Sequence, residues 1–161
     1  MKYPVRTAIL LLMLLLYWNC PSAPDSADDP GPALVVSKEV YDQTFAEVNF
    51  FLKKIHSIIL KKDFDTWKTI CTEEYLKKYS TGQTLQELSE KPQLKEQNIV
   101  LKNIKDYFVE VFIPSRANTK LDKIEFVTKF RVKALSIIAD KAYVVYLLEK
   151  DENNEWKIGI W

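Results

Sequence analysis

The spacing of apolar and polar positions changes period once along the chain. Between residues 38 and 62, Tyr41, Phe45, Val48, Leu52, Ile55 and Ile59 recur at steps of four and three, and Phe51 and Ile58 widen the stripe. Such a stripe predicts one amphipathic helix of about five turns. Ser37 stands where an N-cap belongs, Glu39 falls in the first turn, and Lys61 and Lys62 fall in the last, each at the end the helix dipole favours. Asp63 then precedes a shorter helix carrying Trp67 and Ile70 inward. Thr72-Glu73-Glu74 caps a third, with Tyr75, Leu76 and Tyr79 on one side. Ser80-Thr81-Gly82-Gln83 interrupts the pattern, and Thr84 with Glu87 has the spacing of a capping box ahead of Leu85 and Leu88. Pro92 opens a stretch in which Ile99, Leu101, Ile104, Tyr107, Phe108 and Val111 share a helical face, and Pro114 is expected to end it.

Beyond Asn118 the period becomes two. Ile124, Phe126, Thr128, Phe130, Val132 and Ala134 alternate with Glu125, Val127, Lys129, Arg131 and Lys133, which predicts one strand with a buried and a wetter face. Ala139-Asp140-Lys141 reads as a tight turn, and Ala142 to Leu148 as a uniformly apolar strand suited to a central place in a sheet. Asp151 to Asn154 is a polar connection, and Glu155 to Trp161 the closing strand. Helices first and antiparallel strands last predict an α+β domain, its helices packed on one face of a curved sheet formed by the C-terminal third.

Residues 1–36 carry neither period. Lys2 and Arg6 precede an unbroken apolar run from Ala8 to Trp18. As a helix that run would reach about 16 Å, roughly half a bilayer's hydrocarbon core, which fits an export signal rather than a membrane span. Cys20 follows the run and is itself followed by a Pro-, Ser- and Asp-rich stretch. This layout resembles a bacterial lipoprotein signal, in which the cysteine thiol takes a diacylglycerol and becomes the mature N-terminus. The segment Leu16-Tyr17-Trp18-Asn19-Cys20 departs from the usual box, which has Leu three residues before Cys and small residues between. An uncleaved signal anchor, with Cys20 a spectator thiol, is the other reading. Four of the seven prolines lie between Pro21 and Pro32, so that stretch is expected to be an extended tether. The chain thus divides into a signal over 1–20, a tether over 21–36 and one domain over 37–161. It is expected in the cell envelope, attached to the membrane through Cys20.

Charge and composition narrow the rest. The 23 Lys and Arg against 22 Asp and Glu give no basic footprint for nucleic acid. One His and two Cys supply neither an ordinary metal site nor a disulfide framework, and no cofactor motif occurs. Loss of Lys2 and Arg6 with the signal leaves 21 bases against 22 acids, so a lipid anchor would have no help from a polybasic patch.

Lys62-Asp63-Phe64-Asp65-Thr66-Trp67 after a long first helix, Thr72-Glu73-Glu74-Tyr75-Leu76, and the terminal Ala142 to Tyr146 and Trp156-Lys157-Ile158 together resemble the nuclear transport factor 2-like superfamily. This is the cystatin-like cone shared with ketosteroid isomerase and scytalone dehydratase. The resemblance spans roughly residues 38–161 and departs in the long segment between 80 and 112. It implies a pocket between curved sheet and helices. In the superfamily's enzymes a buried carboxylate or His acts as base there, but no such motif maps onto this chain residue by residue.

The candidate residues follow. Trp67 and Tyr107 from helices, with Phe126 and Phe130 from the inward strand face, could line an apolar cavity or fill it. Arg116, in Pro114-Ser115-Arg116-Ala117-Asn118, could hold an anion or pair with a helix C-terminus or Asp122. His56 as a base and Cys71 as an activated thiol are weaker candidates, a surface residue and a buried structural thiol being the simpler readings. Asp63 and Asp65 are explained by helix capping. The expected function is a non-catalytic, envelope-anchored domain that binds an apolar small molecule or an envelope protein. An isomerase- or dehydratase-type enzyme with a pocket carboxylate, and a module that forms a homodimer through its sheet, are the alternatives. An apolar cavity would favour the ligand; a filled core beneath an exposed apolar sheet would favour the protein partner.

Overall fold

The computed structural model describes residues 34–161. The signal, Cys20 and most of the tether lie outside the described residues. Helix α1, Lys38–Lys61, carries the stripe: Val48, Phe51, Ile55, Ile58 and Ile59 are buried. Ser37 Oγ accepts the Val40 N–H, and the helix ends on Lys62 in the left-handed conformation, φ 52°, which turns the chain into the next cap. There Asp63 accepts the Thr66 N–H and starts α2, Phe64–Thr69. Thr72 caps α3, Glu73–Ser80, in the same way.

Three expectations about the middle of the chain are revised. Helix α4, Gly82–Ser89, is capped by Thr81, whose hydroxyl accepts the Thr84 N–H, so Thr84 and Glu87 do not form the capping box expected of them. The stretch after Pro92 is not one helix. A single turn, α5 (Pro92–Lys95), is followed by a turn and irregular chain, and helix resumes only at α6, Ile104–Tyr107. Asn103 explains the restart, because its side-chain oxygen accepts the N–H groups of Lys105 and Asp106. Nor does Pro114 end the helix. A π-helical segment, Phe108–Phe112, leads into α7, Ile113–Arg116; the wider turn accommodates the missing proline donor and turns both Phe108 and Phe112 into the core.

The C-terminal third is a four-stranded antiparallel sheet in the order β1-β2-β3-β4: Lys123–Thr128, Arg131–Ile138, Lys141–Lys150 and Trp156–Ile158. The long alternating run is therefore a hairpin, not one strand. Lys129 and Phe130 form its turn, and a register shift beside Thr128 moves the residues that follow. Ile124, Phe126, Val132, Ala134, Tyr146 and Leu148 turn one sheet face toward the helices, and with the buried helical residues they make a single core. Ile158 ties the layers together: its N–H donates to the Ile70 carbonyl and its carbonyl accepts the Thr72 N–H. Residues 34–36, read above as the end of the tether, already touch this unit. The Leu34 N–H donates to the Phe126 carbonyl, and Val36 packs against the core.

Candidate functional site

Three of the four aromatic residues proposed to line a cavity are buried in the core, and their rings are packed. Trp67 is fully buried, with ring centroids of Phe108 at 4.9 Å, Phe112 at 5.3 Å, Phe64 at 5.8 Å, Tyr75 at 6.1 Å and Tyr107 at 6.2 Å. Tyr107 stacks on Tyr79 at 4.3 Å and shares a 2.8 Å hydroxyl hydrogen bond with Tyr75. Phe126 lies against Tyr41 at 6.5 Å. Phe130 stands apart: it sits in the β1–β2 turn and is 60% exposed. Phe130 borders a surface depression of about 690 Å³ together with Arg131, Glu149 and Asp151.

Arg116 ends α7 and lays its guanidinium over the Tyr146 ring, 5.3 Å from the centroid, with a long hydrogen bond from Nη1 to the Ser115 carbonyl. Its buried Nε has no hydrogen-bond partner among the described residues. Asp122, the carboxylate weighed as its partner, instead accepts the Ile137 N–H at 2.7 Å and the Ser136 hydroxyl at 3.2 Å. Burial raises the pKa values of Tyr75, Tyr107 and Tyr146, so all three hydroxyls stay protonated at physiological pH. Cys71 is buried too, and burial pushes its thiol well above the ordinary range, which removes the thiolate needed for nucleophilic chemistry. His56 is exposed on α1. Asp63 is occupied by the Thr66 N–H and hydroxyl, and Asp65 pairs with Lys68 at 3.0 Å. Among the described residues no group of His, Cys, Asp and Glu is placed to hold a metal ion.

Two arrangements were not anticipated from the sequence. Glu47 on α1 accepts both the Lys150 ammonium, at 2.9 Å, and the Trp156 indole N–H, at 3.2 Å, while Lys150 also lies 5.0 Å from the Trp156 ring centroid. The hydrogen bond from Lys150 is the main reason the Glu47 carboxyl lies below its usual pKa. The partners are about a hundred residues apart, so no local spacing could have revealed them.

The second arrangement is the far end of the β2–β3 hairpin. Ile137, Ile138, Tyr143 and Val144 are 50%, 61%, 49% and 48% exposed. Ile137 and Ile138 are successive strand residues, as are Tyr143 and Val144, so the hairpin end is apolar on both faces. Ala139 and Asp140 form the tight turn at its tip, both with positive φ. The apolar run of β3 is legible in sequence; that its first half would be exposed is not.

The chain is 30% identical over 123 residues to an uncharacterised lipoprotein of Treponema pallidum (strain Nichols). That likeness supports a bacterial lipoprotein. The match covers 76% of this chain and 64% of the relative, so the chain spans less than two thirds of that protein. No family model and no solved structure matches the chain. Among the described residues no helix is long and apolar enough to cross a membrane. A lipoprotein relative is consistent with membrane association through a lipid anchor.

Proposed function

We propose that this chain is an envelope lipoprotein, anchored by acyl chains on Cys20, whose domain binds another protein and is not an enzyme. The apolar, doubly exposed end of the β2–β3 hairpin carries the binding role, because it coexists with a core already filled by aromatic rings. Packed aromatic rings occupy the core where an apolar ligand was expected, and contiguous exposed apolar residues are a usual mark of a protein contact. Of the residues weighed for catalysis, His56 lies exposed on α1, Cys71 is a buried thiol, and Asp63 and Asp65 are engaged in a helix cap and an ion pair. The fold-family reading, nuclear transport factor 2-like, is supported by the long α1, the left-handed turn at Lys62 into the Asp63 cap, and helices laid on an antiparallel sheet.

A photo-crosslinking amino acid at Ile137 in the full chain, activated in intact cells of the host, tests the binding role. Discrete protein adducts are expected at Ile137 and not at His56 on the opposite layer; a bare monomer at both positions would refute it. The anchor is tested by Cys20→Ser, which is expected to move the protein from the detergent to the aqueous phase on Triton X-114 partition. Unchanged partition would exclude acylation at that residue.

A further inference from the structure

The outward side of α1 has a composition that the balance of charge over the whole chain conceals. Phe50, Lys53, Lys54, Ser57, Leu60 and Lys61 recur at steps of three and four, opposite the buried stripe that runs through Phe51, Ile55 and Ile58. All six are exposed, Phe50 by 75% and Leu60 by 71%. Lys53, Lys54, Lys61 and Lys62 form no ion pair among the described residues. No acid lies between Glu47 and Asp63, and the flanking acids are engaged elsewhere. Glu47 holds Lys150, Asp65 holds Lys68, and Asp63 caps α2 through Thr66. The second half of α1 therefore presents one sign of charge, with two bare apolar side chains set among the lysines.

We propose that this side of α1 lies on an anionic phospholipid surface, the one to which acyl chains on Cys20 would attach the chain. The inference rests on the lipid-anchor reading above and adds a second, reversible contact to it. It revises the expectation, drawn from net charge alone, that an anchor would have no help from a polybasic patch. Phe50 and Leu60 enter the boundary between headgroups and acyl chains. The lysine stems lie along that boundary while their ammonium groups stay with the phosphates. The same face suits a protein partner poorly. Its two apolar side chains stand ten residues apart, about 15 Å along the axis, and make no contiguous patch. Lysine, moreover, is depleted at the centres of protein interfaces.

Chain length permits the contact. At about 3.1 Å per residue the stretch from Cys20 to Leu34 spans at most about 43 Å. The 24 residues of α1 make a rod of about 36 Å, so the helix can lie along the surface that holds the anchor. Each lysine brought to an anionic surface strengthens docking about fivefold. Attachment through Cys20 supplies the high effective concentration at which so small a contact suffices. Because the core and sheet lie on the inner side of α1, docking leaves the sheet turned away from the lipid and open to a protein.

The test uses the full chain carrying Phe50→Cys, labelled with an environment-sensitive fluorophore that stands in for the ring. Cys71 is buried, and the parent chain labelled in the same way supplies the background. In vesicles of equal parts phosphatidylcholine and phosphatidylglycerol the emission should shift to the blue. In phosphatidylcholine alone, or in high salt, it should not. The same label at Tyr143→Cys, exposed on the sheet, should respond in neither. Lys53→Gln, Lys54→Gln and Lys61→Gln together should weaken docking about a hundredfold, and the same three changes to Arg should preserve it. Should the glutamine variant melt differently from the parent, the arginine variant and a salt titration of the parent decide instead. No shift with anionic vesicles, an equal shift in neutral ones or at Tyr143, or undiminished docking of a stable glutamine variant would overturn the proposal. Flotation separates it from the anchor. Chains that float with neutral vesicles yet give no shift with anionic ones keep the anchor and lose the docked helix. Chains that float only with anionic vesicles, with the shift at Phe50, keep the docked helix and lose the anchor.

Discussion

Glu47, Lys150 and Trp156 show what a single residue contributes here. The carboxylate is held below its usual pKa first by the hydrogen bond from Lys150, then by that from Trp156, while burial opposes both. A carboxyl whose folded pKa is lowered stabilises the protein above its unfolded pKa, and the contribution is lost as pH falls through the folded value. Glu47→Gln keeps an acceptor for the indole and removes the charge. At neutral pH it should cost about 0.5–1 kcal/mol, discounted because the side chain is 36% exposed and screened by solvent. Melting curves of the variant and parent should converge as acid protonates Glu47. A difference that persisted unchanged into acid would mean the pair contributes through packing alone. Sequence reasoning placed several residues correctly at this scale: Ser37, Asp63 and Thr72 all cap helices, because short oxygen-bearing side chains reach only the first turn's N–H groups. It had no access to Arg116 over Tyr146, which depends on a helix end and a strand meeting across the core.

Among the elements, the segment between α4 and α6 is where pattern misled most. Ile99, Leu101 and Ile104 have helical spacing, yet residues 99–101 are not helical: the Ile99 N–H goes to the Leu94 carbonyl and the Leu101 N–H to the Ser89 hydroxyl. The buried Ser89 hydroxyl donates to the Leu85 carbonyl at 2.7 Å and accepts the Leu101 N–H at 2.9 Å, pinning the strap across the end of α4. Ser89→Ala leaves that N–H buried and unpaired, so it should cost about 1–3 kcal/mol. Hydrogen exchange should quicken between residues 96 and 103 before the sheet is affected; uniform exchange across the domain would deny the strap its dependence on Ser89. The β1–β2 hairpin teaches the same lesson. Strict alternation through Phe130 is equally compatible with one strand or two, since a tight turn with a register shift preserves the period on either side. Phe130 accordingly leaves the inward face and joins the surface.

For the whole molecule, the boundary of the folded unit has a measurable consequence. Leu34 is hydrogen-bonded to Phe126 and Val36 packs on the core, so the domain begins before α1. A chain beginning at Gly31 should melt cooperatively. One beginning at Ser37 should lose about 1 kcal/mol, or about 4 °C in Tm, for the missing edge bond and side chain. Identical melting of the two would place residues 34–36 outside the cooperative unit. The order of elements, helices then antiparallel strands, was legible because hydrophobic period reports local geometry directly, 3.6 residues per helical turn against two per strand repeat. The apolar run from Ala8 to Trp18 ahead of Cys20 is likewise legible as pattern. Packing was not. Whether Trp67, Tyr107 and Phe126 would line a space or fill it depends on ring orientations set by neighbours distant in sequence, and the same residues serve either outcome. How far β3 extends beyond β4, and so which backbone groups remain open, follows from where the helices and the final strand stop, a property of the assembled layers that no run of residues encodes alone.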